Sequence, residues 1–268
     1  MTTATAPTPA SSAAPRAVRP TVAVLERHLS LYRRLWQASV FSSFVLPVLF
    51  LLSIGIGVGG YVGSVQGVDY LSWIVPGVLG ATAFQIAVGE STYSVLGDFK
   101  WVRGYHAMRA TPVQPLHMIW GHLLYLMFRV TMAVAAFLVV VVFFGGLRSA
   151  WAVATPLVCA LLTVAVSAPV VAFAARIEND SYFALLFRFV VIPSTLFAGV
   201  FFPVDQLPAP VRPVAYASPL WHAVELCRAA TLGRAPAWPV AAHLGYLVLW
   251  AAAGTFLAMR AFQRRLED

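Results

Sequence analysis

Three ionisable side chains lie inside long apolar stretches of the sequence, namely Glu90, Arg129 and Arg188. A charge at the centre of a membrane helix costs roughly 2.5–3.5 kcal/mol, so such residues normally face the protein interior or an opposite charge. Counted at about 1.5 Å per helical residue, all three lie in the half of the membrane nearer the cytoplasm. Two interpretations stay open, a paired cluster or arginines that extend to the headgroups. The short side chain of Glu90 favours pairing.

The motifs of common enzymes are missing from the sequence. The chain has one lysine, Lys100, without the glycine context of a P-loop, so we expect no ATP site on this chain. His222 and Glu225 in WHAVE do not have the H-E-x-x-H spacing of a zinc site, and no G-x-S-x-G is present. The sequence therefore predicts a chain that binds no metal or cofactor and catalyses no reaction by itself.

The composition determines which elements must position these residues. Of 268 residues, 60% are hydrophobic and 10% are charged, and the mean hydropathy is +0.80. Soluble domains have roughly 45–50% apolar and about 25% charged residues, so a soluble protein is excluded. Six spans of about 20 residues leave no room for a separate catalytic domain. The net charge of +8 is scattered over loops and tails, which argues against a nucleic-acid partner.

The pattern of apolar stretches predicts an all-α polytopic membrane protein with six spans. Residues 1–20 are rich in Thr, Ala, Ser and Pro and predict a disordered tail, and residues 21–268 form the transmembrane domain. Within it we expect an amphipathic interface helix at 21–37 and spans at about 41–62, 70–96, 116–144, 150–175, 182–202 and 237–259. Cys159 lies in one predicted span and Cys227 in a segment after another, so we expect no disulfide.

The positive charges orient the spans. With six spans both termini lie on one side, and that side carries twelve Lys and Arg residues against four on the other. Because cytoplasmic loops are enriched in Lys and Arg, both termini are predicted to be cytoplasmic.

Two connecting segments are more complex than plain loops. Residues 97–115, GDFKWVRGYHAMRATPVQP, mix cations with aromatic residues and predict a short helix on the inner membrane face. Residues 203–236 on the outer side begin with a proline-rich stretch and continue as a helix of about ten residues that ends at Gly233. This helix is too short to span, so it is expected to be re-entrant or interfacial.

Glycines cluster near the outer end of the first predicted span. Gly55, Gly59 and Gly63 form two overlapping G-x-x-x-G steps, which predict close approach of another helix. The alternative is that Gly59 and Gly60 merely end the helix at the interface.

Three segments together resemble the permease subunit of ABC type-2 transporters, in the branch of nodulation-factor (lipo-oligosaccharide) and daunorubicin-type drug exporters. They are WVRGYHAMRATPVQPLHMIWGHLLY (101–125), AARIENDSYFALLFRF (174–189) and FFPVDQLPAPVRPVAYASPLWHAVELCRAATLG (201–233). The resemblance covers the chain from about residue 20 to its end.

The resemblance implies a complex in a bacterial plasma membrane. Two permeases, either two copies of this chain or this chain and a related one, would pair around the path of an amphipathic substrate. Two separate ATPase subunits would bind ATP and Mg²⁺ and dock on the permeases from the cytoplasm. The residues implied for ATPase coupling are Arg103, Tyr105, His106, Met108, Arg109, Arg176, Glu178 and Asp180. The residues implied for the outer exit are Pro203, Asp205, Pro219, His222, Glu225 and Arg228.

Two other classes remain as alternatives. A secondary transporter or channel would need no ATPase, but it would be expected to show an internal repeat or interrupted spans, and no convincing repeat relates residues 38–144 to 150–260. An intramembrane enzyme would need a nucleophile and a base at usable spacing, which the sequence lacks.

Overall fold

The protein is described here by a computed structural model that covers residues 18–41, 45, 48–49, 51–143 and 145–267. In this part of the chain it is a helical bundle with one two-stranded hairpin. The helices, in chain order, are α1 (Val18–Val40), a π-helix (Leu51–Val58), α2 (Gly59–Val62), α3 (Tyr70–Lys100), α4 (Gly104–Arg109), α5 (Pro115–Phe143), a 3₁₀ turn (Ala150–Ala154), α6 (Thr155–Ala174), α7 (Ser181–Phe197), a 3₁₀ turn (Val204–Gln206), α8 (Arg212–Tyr216), α9 (Pro219–Leu232) and α10 (Val240–Glu267). Strands β1 (Ser64–Val65) and β2 (Val68–Asp69) pair antiparallel between α2 and α3.

Four helices in the described part are long and apolar enough to cross a membrane. They are α3, α5, α6 together with its leading turn, and α10. They correspond to the second, third, fourth and sixth predicted spans, so the all-α membrane class is confirmed, with the small hairpin as an addition. The first predicted span, 41–62, lies partly outside the described residues. The tail before Val18 lies outside them as well.

The fifth predicted span, 182–202, is shorter than expected. Its helix α7 ends at Phe197 after 17 residues, and the chain turns at Gly199, where φ is +73°. Residues 187–191 inside α7 form a π-helical turn. Pro193 lacks the N–H for a regular helical bond and its ring crowds the preceding turn, which the wider π turn relieves. A count of six spans therefore stays a prediction.

The other helix boundaries moved by a few residues. Helix α10 was expected to start at 237, but it starts at Val240, directly after Pro239, and it extends to Glu267, eight residues beyond the expected end at 259. Helix α1 includes the predicted interface helix and is three residues longer at each end, so its first turn lies within the expected tail.

Helix α6 lies at the centre of the bundle and packs against α3, α5 and α10. Small residues allow the closest contacts. A Cβ atom on Gly254 of α10 would lie 2.7 Å from the backbone nitrogen of Pro169 in α6, and a Cβ on Gly77 of α3 would lie 2.9 Å from the Cα atom of Val200. A larger residue at either position would force the backbones of the two segments apart.

The predicted glycine contact near the first span is limited. A Cβ on Gly59 would lie 3.6 Å from the Tyr70 ring, whereas Cβ atoms on Gly57, Gly60 and Gly63 would meet nothing within 4 Å. Gly63 has φ +69° and ends α2. The surroundings of Gly55 lie outside the described part, so the described glycines of this cluster favour a helix end over a packed face.

Helix α3 connects two ends of the bundle. Its last residue leads into α4, and its first turns pack against α9, where a Cβ on Gly80 would touch Val224. We call the α4 end the inner end and the α9 end the outer end, after the predicted orientation.

Candidate functional site

Helix α4 is fixed at the inner end by one buried tyrosine. Tyr105 is 1% exposed, and its ring lies 4.7 Å from the Phe99 ring of α3 and 5.0 Å from the Phe262 ring of α10. Burial raises the pKa of its hydroxyl well above the usual value. Arg103 precedes α4 in a left-handed conformation with φ +53°. The left-handed backbone at Arg103 thus forms the turn before α4, and the aromatic packing of Tyr105 fixes the position of the helix.

An ion pair ties α1 to the same corner. Both terminal nitrogens of Arg27 donate to the two carboxylate oxygens of Asp98, at 2.7 and 2.6 Å. The hydrogen bonds from Arg27 to Asp98 raise the pKa of the guanidinium. Gly104 lies directly beside this pair, because a Cβ there would be 2.7 Å from Arg27 Nη2 and 2.8 Å from Asp98 Oδ1. Helices α1, α3 and α4 therefore meet at one point.

The turn after α6, residues 176–180, lies at the same end. Nζ of Lys100 donates to the Glu178 carbonyl at 2.9 Å, and Nη1 of Arg265 donates to the Ile177 carbonyl at 2.9 Å. Ile177 is buried, whereas Arg176 and Asp180 are exposed. We call α4, this turn and the Arg27–Asp98 pair the inner corner. It joins the ends of α3 and α10 to α1 and to two surface segments.

The residues expected to contact an ATPase differ in exposure. Six of the eight are exposed at the inner corner: Arg103, His106, Arg109, Arg176, Glu178 and Asp180. Met108 is half-buried. Tyr105 is buried in the core, so replacing it by Ala would disturb folding as well as any contact with an ATPase.

Two of the three charges in apolar stretches form a pair. Glu90 of α3 and Arg129 of α5 make an ion pair, with side chains 30% and 10% exposed. Ser94 Oγ is 3.5 Å from Glu90 Oε2. The predicted pairing of Glu90 is confirmed for Arg129. Arg188 is exposed on α7, and the described residues give it no acidic partner, so the three do not form one cluster.

At the outer end Glu225 and Arg228 organise the segment that was predicted to be re-entrant. Nη1 of Arg228 donates to Glu225 at 2.6 Å, and Nη2 donates to the Gly199 carbonyl at 2.7 Å. The other oxygen of Glu225 accepts from the backbone N–H of Ala237 at 3.1 Å. The guanidinium lies 4.3 Å above the Trp73 ring of α3. A cavity of about 300 Å³ opens beside these side chains.

His222 is buried between α9 and α10. Its Nε2 lies 3.0 Å from the Tyr216 carbonyl, which can only accept, so this nitrogen carries the proton. Its Nδ1 then accepts from Nδ1 of His243 at 2.9 Å. The ring stacks on Tyr246 with centroids 3.9 Å apart. His222 is thus a buried side chain that links α9 to α10, and it is not exposed as a possible ligand-binding group.

The remaining outer residues shape the backbone or bond through it. Pro203 is buried and precedes the 3₁₀ turn, and Pro219 starts α9. The backbone carbonyl of the exposed Asp205 accepts a hydrogen bond from Nη2 of Arg212 at 2.6 Å. Helix α9 ends at Gly233 with φ +69°, as expected, although it has 14 residues rather than about ten. We call residues 199–239 the outer cap.

Comparison with known proteins fits this architecture. The sequence profile of the ABC-2 type transporter family matches residues 20–232. The chain belongs to this family. Its relatives include Nodulation protein J of Rhizobium leguminosarum bv. viciae, 26% identical over 246 residues (91% of this chain and 94% of the relative). Nodulation protein J of Bradyrhizobium diazoefficiens is 27% identical over 249 residues (91% and 93%).

Family membership makes the chain a membrane-embedded transport component that is not catalytic by itself. No group of three His, Cys, Asp or Glu side chains suited to a metal ion occurs in the described ranges.

Sequence reasoning missed several residues of the two ends. Nothing in the sequence distinguishes Asp98 from other acidic residues of loops, because its partner Arg27 is 71 positions away. The cation–π contact of Trp73 with Arg228 was not expected either. Cys159 and Cys227 are buried free thiols, and their sulfur atoms lie 3.9 Å apart although the spans gave no reason to place them together.

Proposed function

We propose that the chain is the membrane-spanning subunit of an ATP-driven exporter and that a separate ATPase docks on the inner corner. The observation that carries this proposal is the position of the two exposed charged segments. Helix α4 and residues 176–180 lie at one end and are tied to α1, α3 and α10 by Tyr105, Asp98 and Arg265. A partner that moves α4 would therefore move several long helices with it.

The proposal also covers the composition of the complex and the direction of transport. Two permeases, identical or related, pair around the path and two ATPases hold ATP and Mg²⁺, as the family resemblance implies. Both termini are cytoplasmic, in accord with the count of positive charges. The substrate is amphipathic, a drug, a lipid or a glycolipid, and it leaves past the outer cap.

The docking test uses exposed side chains only. The triple change Arg103→Ala, His106→Ala, Arg109→Ala should abolish co-purification with the ATPase encoded nearest to this gene and the stimulation of its hydrolysis. The matched control is Arg148→Ala with Arg234→Ala, two exposed arginines of the outer end, which should change neither. Transport by the purified chain without any ATPase would instead identify a secondary transporter.

Orientation is tested by labelling single cysteines in intact cells. The native cysteines are buried, so new ones at Ala107 and Gln206, both exposed, report accessibility. A membrane-impermeant maleimide should label Gln206→Cys and spare Ala107→Cys. The reverse pattern would invert the proposed topology.

A further inference from the structure

A cavity of about 580 Å³ lies at the inner end, between α1, α3 and α5. Most of its lining residues have polar or ionisable side chains, and the lining also includes the exposed side chains of Leu31 and Tyr93. Along α3 it extends from Asp98 to Glu90, which is about 12 Å at 1.5 Å per residue. In the proposed orientation the cavity thus runs from the inner corner toward the interior of the membrane.

Among the described residues around this cavity, one cationic side chain has no acidic partner. Asp98 is neutralised by Arg27 and Glu90 by Arg129. Arg34 of α1 also lines the cavity, is exposed, and has no acidic partner in the described ranges. The net charge of the lining and its ion-pair partners is therefore +1, which suits a ligand group with a single negative charge.

Two buried imidazoles offer unused hydrogen bonds to the cavity. Both ring nitrogens of His122, which is 2% exposed, and Nε2 of His28 lack a hydrogen-bond partner in the described part of the chain. The two rings touch, with centroids 5.1 Å apart. A neutral imidazole has one N–H donor, and leaving a buried donor unpaired is unfavourable. A ligand with acceptor oxygens would satisfy them.

We propose that this cavity binds the phosphate headgroup of an anionic phospholipid, with Arg34 supplying the countercharge and His122 a hydrogen bond. The acyl chains then lie along the lipid-facing side chains at the cavity mouth. The choice of the inner leaflet rests on the orientation proposed above, but the site itself does not. Bound lipid holds α1 against α3 and α5 beside the inner corner.

Native mass spectrometry of the full chain in detergent tests the site without an ATPase. The probes are phosphatidylglycerol and phosphatidylcholine with identical acyl chains, supplied in equal amounts. One unneutralised arginine near a headgroup contributes about 1 kcal/mol, or about fivefold in affinity. We expect a preference for phosphatidylglycerol of about that size in the wild type, and its loss in Arg34→Gln.

A neighbouring arginine provides the matched control. Arg33 is exposed on α1 and does not line the cavity, so Arg33→Gln should keep the preference. His122→Phe keeps a ring but removes both nitrogens and should also weaken retention of phosphatidylglycerol.

Several results would overturn the proposal. The first is equal binding of the two lipids by the wild type. The second is an equal loss of the preference for phosphatidylglycerol in Arg33→Gln and Arg34→Gln, and the third is displacement of phosphatidylglycerol by millimolar inorganic phosphate. Because Arg33→Gln and Arg34→Gln change only exposed residues, the test holds even if His122→Phe does not fold. None of these results would bear on ATPase docking.

Discussion

The two ends of the bundle are held together in different ways. At the inner corner the polar contacts join segments far apart in the chain, since Arg27 and Asp98 are separated by 71 positions, Lys100 and Glu178 by 78, and Arg265 and Ile177 by 88. In the outer cap several polar contacts are local, as between Glu225 and Arg228, three positions apart, or His222 and Tyr216, six apart.

The difference bears on what each end can do. A displacement of α4 is passed directly to the ends of α1, α3 and α10, because the inner corner connects them. The outer cap instead has several polar contacts within itself, and it also packs on α3 through Trp73 and Gly80 and contacts α10 through His222. We therefore expect the inner corner to respond as a connected set and the outer cap to move as one piece.

The largest effect should come from removing the aromatic centre of the inner corner. Tyr105→Ala deletes a fully buried ring, and deletions of this kind cost about 3–5 kcal/mol in soluble proteins. We expect a large drop in the thermal unfolding temperature of the detergent-purified chain. Tyr105→Phe keeps the ring and serves as control, while Met108→Ala, at a half-buried site, should cost less. A small loss in Tyr105→Ala would show that the ring packing is not what holds α4.

A second pair of changes compares the ends directly. A Cβ on Gly77 meets the backbone of Val200, which must shift, whereas a Cβ on Gly104 meets the ends of the Arg27 and Asp98 side chains, which can rotate away. Overpacking of a core costs typically about 1–3 kcal/mol. Gly77→Ala should therefore lower thermal stability more than Gly104→Ala. The opposite order would mean that the inner corner is the more rigid of the two ends.

The sequence predicted the outer cap well because its signals are local. Prolines precede α9 and Gly233 ends it, and each acts on the backbone of its own segment. The four long helices were equally predictable, since an apolar stretch of sufficient length can be recognised in the sequence without knowing which segments it packs against. Helix α7 was overestimated because apolarity continues past Phe197, where Gly199 turns the chain.

The inner corner could be predicted only in part. The basic aromatic composition of residues 101–110 indicated a surface helix, but not that Tyr105 faces inward, since six residues are too few to define a periodic face. Asp98 and Arg265 could not be assigned because their partners come from distant segments. Glu90 was predicted to pair because an isolated carboxylate in a membrane is costly, and this argument needs no knowledge of the partner.

A double-mutant cycle measures the tie between α1 and α3. Asp98→Asn should lower stability by about 1 kcal/mol, because the Asp98 side chain is 11% exposed but that of Arg27 is 38% exposed and screened by solvent. Arg27→Gln should cost a similar amount, and the double variant should cost less than the two together. The readout is thermal unfolding at low and high salt. Strictly additive losses would contradict a direct tie between α1 and the inner corner.

The smallest expected effect is the contribution of His28 on α1 to the pH dependence of stability. Burial, and then the charge of Arg27, lower the pKa of His28 from 6.5 to about 4, while Asp98 opposes the shift. The unfolded chain therefore binds a proton more readily than the folded one, so stability falls as the pH drops below about 6.5 toward 4. Between pH 7 and pH 6 the loss should be about 0.7 kcal/mol. His28→Gln should flatten this slope in thermal unfolding, whereas His106→Gln, at an exposed position of α4, should leave it unchanged. An unaltered slope in His28→Gln would assign the pH dependence to another group and leave α1 held by its ion pair and packing.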